Sequence, residues 1–271
     1  MYKYCRMIIN RAEEFNKSAT YYKIIGYNQG NYPYKLGLNT LADNGETFDK
    51  ALICGSGGLY FCNIENIFEY LDYGNKVCTL TIPDDAQVIG VYDKYKADQI
   101  YINEIMELNY DTIKFLAERG ADVTIGDNYA IRYSAQKGHL EIVKYLIKHG
   151  ADVTAFNNYA ICCAAPNGHL EIVKYLIEHG ADVAARHNHA IRGASENGYL
   201  ELVKYLFEHG ADITAMDNYA ICLAARNGHL EVVKYLIEHG ADATADNNYA
   251  IRLAALNDHS EVVKYLAESF V

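Results

Sequence analysis

The stretch Asn218-Tyr-Ala-Ile-Cys-Leu-Ala-Ala-Arg-Asn-Gly228, continued by His229-Leu-Glu-Val-Val-Lys-Tyr-Leu-Ile-Glu-His-Gly240 and Ala241-Asp-Ala-Thr-Ala-Asp-Asn247, decides how the rest of the chain is read. It is one copy of a block that recurs every thirty residues. Gly120, Gly150, Gly180, Gly210 and Gly240 keep that step, each followed by Ala-Asp. Asn128, Asn158, Asn188, Asn218 and Asn248 keep it too, as do Lys114, Lys144, Lys174, Lys204, Lys234 and Lys264. A period of this length marks a stacked array, in which each unit buries its apolar face only against its neighbours. Such an array presents a long surface rather than one enclosed pocket.

Within the unit, the first stretch starts at an asparagine able to cap a helix and stops at Gly228, suited to the left-handed turn that ends one. The second stretch sets Leu230, Val233, Leu236 and Ile237 on one helical face. Glu231 in its first turn and His239 in its last agree with the helix dipole, and Glu231 and Lys234 form a surface pair. The unit reads as two short antiparallel helices and an extended loop.

Asn-Gly-His-Leu-Glu-Val-Val-Lys at 227–234 and Glu-His-Gly-Ala-Asp at 238–242 resemble the second helix and loop of the ankyrin repeat. That family's usual unit has 33 residues and opens its first helix with Thr-Pro-Leu-His. Here Tyr-Ala-Ile-Arg or Tyr-Ala-Ile-Cys stands there, three residues are missing just before it, and short loops are expected in place of β-hairpin fingers. The resemblance implies a mainly α solenoid over residues 98–271: an N-terminal cap at 98–127 with a divergent first helix, units at 128–157, 158–187, 188–217 and 218–247, and a C-terminal cap at 248–271. Six helix pairs are expected. Asp258 in place of the turn glycine and Ser260 in place of the core leucine suit a terminal unit.

The net charge of −11 is uneven. Residues 1–97 hold 10 Lys+Arg against 11 Asp+Glu, and residues 98–271 hold 14 against 24. An acidic array argues against nucleic acid, whose phosphates need clustered basic groups. No apolar run approaches the length of a membrane span and no signal-peptide pattern is present. Seven cysteines without a C-x-x-C pair point to reduced thiols. The expectation is a monomeric, intracellular protein with no cofactor.

Positions that differ between copies nominate a contact surface for a protein partner. One loop column reads Gly126, Phe156, Arg186, Met216, Asp246. A first-helix column reads Gln136, Pro166, Glu196, Arg226, Leu256, and another alternates Arg132, Cys162, Arg192, Cys222, Arg252. In the ankyrin resemblance, loops and first helices line the concave face. The nominated contacts are therefore Arg132, Gln136, Phe156, Cys162, Arg186, Arg192, Glu196, Met216, Cys222, Arg226 and Arg252; free drift of unconstrained positions is the competing reading. Pro166 falls in the last turn of a first helix and should shorten it or be tolerated there. The recurring histidines, His139, His169, His229 and His259 in one column and His149, His179, His209 and His239 in another, do not suit a metal ladder. Stacked helices lie about 8–10 Å apart while zinc ligands sit about 2 Å from the ion. Helix-end capping is the better account.

Residues 1–97 carry no repeat and are rich in tyrosine. Strands are expected at 22–27 and 34–41 around a Gly30/Pro33 turn, at 57–62, 77–83 and 88–92, with a helix from Asn63 to Gly74 between them. The sum is a small α+β domain. Its glycine-rich Cys54-Gly-Ser-Gly-Gly58 is followed by a strand, so a tight turn fits better than a phosphate cradle. No catalytic or metal-ligand constellation emerges. Gly57-Gly-Leu-Tyr-Phe, Ile-Glu-Asn-Ile-Phe-Glu-Tyr-Leu and Tyr95-Lys-Ala-Asp-Gln-Ile-Tyr, joined to the thirty-residue units, resemble the ankyrin proteins of mimivirus-type giant viruses, a resemblance that implies the host-cell cytoplasm, with the virion and nucleus left open. Three functions stay open: a binding module for another protein, a host factor among the candidates; an array that targets an enzymatic N-terminal domain; and a ubiquitin-ligase adaptor. The terminal Ser269-Phe-Val271 also matches the pattern that PDZ domains capture.

Overall fold

The computed structural model describes residues 15–26, 33–48, 58–91 and 94–269. Cys5, Tyr27, Gly30, Tyr32, Tyr92, the 54–57 part of the glycine-rich loop and the last two residues of the terminal tripeptide lie outside them. The described residues fall into two compact units that divide at Ala130/Ile131.

The first unit is built on antiparallel strands. In chain order these are β1 (Tyr21–Gly26), β2 (Gly37–Thr40), β3 (Leu59–Phe61), β4 (Gly74–Thr81), β5 (Val88–Val91), β6 (Lys94–Ala97) and β7 (Gln99–Glu107). One sheet has the order β1-β4-β7-β2 and the other β3-β6-β5. The expected 63–74 helix is present as a 3₁₀ helix, Ile64–Tyr73, whose Ile67, Phe68 and Leu71 are buried. Asn63 makes no side-chain cap there, and Gly74 ends the helix in extended backbone. A Cβ at Gly74 would collide with the Ile25 carbonyl, so glycine is required where β1 and β4 cross closely. The core gathers Tyr21, Leu59, Phe61, Leu80, Ile100 and Ile102, with Phe15 stacked on Tyr21 at 4.9 Å and Phe61 on Tyr95 at 5.6 Å.

Strand β7 corrects the expected boundary at 97/98. Residues 99–107 do not form the divergent first helix of a cap; they pair with β4 and β2. The signal was present as Ile100-Tyr-Ile102, with both isoleucines buried and Tyr101 exposed between them, a period of two rather than 3.6. A single helix follows, α1 (Tyr110–Glu118), capped by Asn109 through the Thr112 N–H.

The repeating part contains five helix pairs among the described residues, not six. They are α2 (Ile125–Lys137) with α3 (Leu140–Lys148), α4 (Ala155–Ala164) with α5 (Leu170–Glu178), and α6 (Ala185–Glu196) with α7 (Leu200–Glu208). Then follow α8 (Ala215–Arg226) with α9 (Leu230–Glu238), and α10 (Ala245–Leu256) with α11 (Ser260–Glu268). Ala220, Ile221 and Ala224 of α8 are buried, as are Val232, Val233 and Leu236 of α9, whereas Leu230 and Ile237 are half-buried. Small residues on the first helices let neighbouring helices approach closely, and the branched residues of the second helices fill the layer beneath them.

The missing three residues leave a compact left-handed turn instead of an extended loop. Met216, Asp217 and Asn218 have φ of 55°, 56° and 62°, and the same three positions are left-handed in every repeat. The repeated asparagine is therefore not an N-cap. Its Oδ1 accepts the backbone N–H of the aspartate one unit on: Asp182 to Asn158, Asp212 to Asn188 and Asp242 to Asn218, each at 2.8 Å. The aspartate in turn accepts the N–H and hydroxyl of the threonine two residues later, at 2.8 and 2.7 Å for Asp242 and Thr244. Both residue types recur because one bond in each chain of contacts crosses to the next unit.

Two further columns are explained by cross-unit contact. The His169 and His229 rings donate from Nε2 to the Gln136 and Glu196 carbonyls, both at 3.0 Å. Each covers the turn glycine before it, where a Cβ would lie 2.6 Å from His169 (Gly138) or 2.5 Å from His229 (Gly198). The other histidines close their own helix, as His179 does by donating from Nδ1 to the Tyr175 carbonyl at 2.8 Å. Pro166 ends α4 early in a 3₁₀ turn, Ala165–Asn167. Its ring is accommodated by Gly193 of α6, where a Cβ would stand 2.5 Å from the proline Cγ.

Candidate partner-binding surface

The left-handed turns and the first helices they open lie side by side along the array, and the variable columns sit on them. Phe156 is 50% exposed although its backbone is left-handed, a conformation that costs a bulky residue about 1–2 kcal/mol. Two guanidinium groups flank its ring, Arg132 at 4.9 Å and Arg186 at 5.1 Å, and Tyr159 meets it edge-on at 5.5 Å. Arg186 also lies 4.5 Å from the Tyr159 ring. It donates from Nη2 to the Phe156 carbonyl at 2.8 Å and from Nε to the Asn157 carbonyl at 3.2 Å. An aromatic ring fixed between planar cations loses little freedom when a partner covers it.

One unit on, Arg192 does the same work from the first helix. Its Nε donates to the His187 carbonyl at 2.9 Å and its Nη2 to the Arg186 carbonyl at 3.2 Å. His189 stands where its neighbours have tyrosine; burial first, then Arg192 and Arg186, pull its pKa below the ordinary histidine value. Arg252 donates from Nη2 to the Asp246 carbonyl at 3.1 Å.

The ankyrin-repeat family model matches three times, over residues 104–187, 132–217 and 190–270. The chain is an ankyrin-repeat protein. An uncharacterised protein of Acanthamoeba polyphaga mimivirus is 32% identical over 118 residues, covering 41% of this chain and 83% of that relative. Two putative ankyrin repeat proteins of the same virus are 36% and 31% identical, over 41% and 39% of this chain. These alignments span 35% and 37% of their length, so this chain matches about a third of each. Arrays of ankyrin repeats are protein–protein interaction modules.

The ankyrin array does not present all the nominated positions alike. Cys162 and Cys222 are 3% and 2% exposed, so neither is an outward contact, although Cys222 edges the groove between the turns of α8 and α10. Burial, with the Asp246 carboxylate adding for Cys222, pushes both thiols up to about 11, so neither is a thiolate nucleophile at neutral pH. Arg132, Arg186 and Arg192 are half-buried; the first two flank Phe156, and Arg192 lies 6.0 Å from the Tyr219 ring. Met216, 53% exposed, sits on the turn of α8. Glu196 and Arg226 pair with each other across adjacent ankyrin repeats, so they lock the stack more than they offer free charge. Gln136 and Arg252 are exposed.

Sequence reading missed Tyr159 and Tyr219, which repeat and so looked purely structural, and it missed the complementarity between columns. Where the helix column carries Cys162, the next turn carries Arg186, and both routes deliver a guanidinium to the turn carbonyls. That one compensation, Arg186 where Arg192 has no counterpart at Cys162, was the available signal.

In the first unit, Lys23 has the perturbed character expected of an active-site amine. Burial pushes its pKa down to about 7. The side chain is only 5% exposed, however, and donates to the Tyr60 carbonyl at 2.8 Å while lying 4.6 Å from the Tyr34 ring. Cys78, with its thiol pushed up to about 12 by burial, is inert beside it. Among the described residues no group of three or more His, Cys, Asp or Glu is placed to hold a metal, and no helix is long and apolar enough to cross a membrane.

Proposed function

We propose that this protein is a binding module that holds a segment of another protein on the face made by its turns and first helices, the concave face of the family. The observation that carries the reading is Phe156, exposed, conformationally strained and held between Arg132 and Arg186. Aromatic and arginine anchors of this kind dominate the energy of protein interfaces. Met216 extends the same face by two turns. The viral relatives make a protein of the amoebal host cytoplasm the first partner class to test, and the chain acts there as a monomeric, non-enzymatic binder.

The test compares affinity capture from amoebal lysate by the wild type and by Phe156→Ala/Arg186→Glu/Met216→Ala, with helicity checked by circular dichroism. The variant should lose the specific partner at least tenfold while its helical signal is unchanged. An identical set of captured proteins at identical yield would exclude this face.

A further inference from the structure

The left-handed turns each bring two successive carbonyls to their start, and at three of them, those opening at Phe156, Arg186 and Asp246, the chain supplies a guanidinium. At Phe156/Asn157 the guanidinium comes from the next turn, Arg186. At Arg186/His187 it comes from the helix above, Arg192. The bonding is the same in both: Nε takes the second carbonyl and Nη2 the first. At Asp246, Arg252 supplies Nη2 from its own helix, as Arg192 does.

At Met216/Asp217 both sources are changed. The helix position equivalent to Arg192 is Cys222, and the turn position equivalent to Arg186 is Asp246. A carboxylate has no proton to donate, and Cys222 stays a neutral thiol with at most one weak S–H. In place of the guanidinium there is a cavity of about 470 Å³, lined by Met216, Asp217, Tyr219, Cys222, Asp246 and Tyr249. It corresponds residue for residue to the place that Arg186 occupies sixty positions earlier, where the ring equivalent to Tyr219 is Tyr159, 4.5 Å from the guanidinium carbon. Two differences favour a cation from outside. The arginine of the following turn is gone, while Arg192 keeps its place 6.0 Å from the Tyr219 ring, as Arg132 stands 5.6 Å from Tyr159 beside Arg186; and carboxylates replace Asn157 and Arg186 at the equivalent positions, Asp217 and Asp246.

We infer that this cavity is an arginine pocket, which receives the guanidinium of an arginine side chain presented by the partner protein. The inference rests on the binding-module reading and adds the chemistry of one anchor. The partner's guanidinium takes the place that Arg186 and Arg192 take within the chain: its Nε and one Nη face the Asp217 and Met216 carbonyls, its plane lies against Tyr219, and Asp217 and Asp246 balance its charge. Lysine fits less well, because an ammonium group cannot present two parallel donors in one plane.

The experiment uses the full chain labelled with ¹⁵N and titrated with N-acetyl-arginine N-methylamide. The matched probes are N-acetyl-citrulline N-methylamide, which has the same shape without charge, and N-acetyl-lysine N-methylamide. The arginine probe should shift the amide signals of Met216, Asp217, Tyr219 and Asp246 saturably, with a Kd on the order of millimolar for a single side chain, about 4 kcal/mol. Citrulline should bind at least tenfold more weakly and lysine several-fold more weakly. In Cys222→Arg, which rebuilds the Arg192 arrangement, the probe shifts should disappear; Asp246→Arg, which rebuilds the Arg186 arrangement, serves if the first variant does not fold. Asp246→Asn keeps the cavity and should weaken the arginine probe several-fold.

Equal shifts from citrulline, undiminished binding in the arginine-filled variants, or no shift at these amides would overturn the pocket. A failed titration with partner capture still lost in the Phe156 variant removes the pocket and leaves the module. A successful titration with no partner captured does the reverse.

Discussion

Lys23 is the residue whose chemistry departs most from its surroundings. It places an amine among buried strands at the cost of ionisation, and its folded pKa of about 7 lies below the ordinary value of about 10.4. The unfolded chain therefore binds the extra proton between these two values, and stability must rise with pH across that window. Below about 7 both states are protonated, the slope from this group vanishes and its cost is fully present. The wild type should gain stability from pH 7 to pH 9.5, by at most about 1.4 kcal/mol per pH unit. Lys23→Met should show no such rise. Urea midpoints of the tyrosine signal at several pH values measure both slopes, and parallel curves for the two proteins would remove Lys23 as the cause.

Among the elements, α4 and α6 show how one helix answers a defect in another. Pro166 cuts α4 short, and Gly193 removes the side chain that its ring would meet. Glycine inside a helix costs about 0.5–1 kcal/mol relative to alanine, so its presence at 193 calls for such a packing reason. Gly193→Leu, the residue found at 223 and 253, should destabilise the array by about 1–3 kcal/mol through overpacking. Adding Pro166→Glu gives the combination of residues, Glu196 and Leu223, that stands at the equivalent positions one repeat on, and should recover most of the loss. Thermal denaturation of the single and double variants decides this; a neutral Gly193→Leu would show that the two helices yield without cost.

The elements also show which parts of the architecture were legible before the coordinates. The second helices were, because an apolar face of period 3.6 is written directly in residues such as Val233 and Leu236. The strands of the first unit were mostly legible from their apolar runs, while β7 was absorbed into the array by the pull of the repeat register. The turn was misread for a physical reason. Asn218 looks like a helix cap in isolation, and only the next repeat's backbone shows that its oxygen accepts the Asp242 N–H. Likewise Cys222 looked like a variable contact position, because the sequence does not say which side of a first helix lies beneath the turn. Phe156 and Arg186 were nominated as contacts, but their left-handed backbone could not be foreseen from residues that avoid it.

At the scale of the whole molecule, a chain of net charge −11 carries a local cluster of Arg132, Arg186 and Phe156. The proposed face sets a basic, aromatic patch two turns from an acidic pocket, and complementary charge of that kind governs encounter rate and register more than final affinity. The thirty-residue repeat does without fingers: arginines bond the carbonyls of the turns at 156, 186 and 246, and the variable positions stay next to the first helices. The most direct test places a photo-crosslinking amino acid at 156, at 216, or at the exposed Glu141 and Glu171 on the second helices, in otherwise wild-type protein exposed to amoebal lysate. The account predicts that 156 and 216 crosslink to the same partner protein and that 141 and 171 do not. Crosslinks from 141 and 171, with none from 156 or 216, would contradict it.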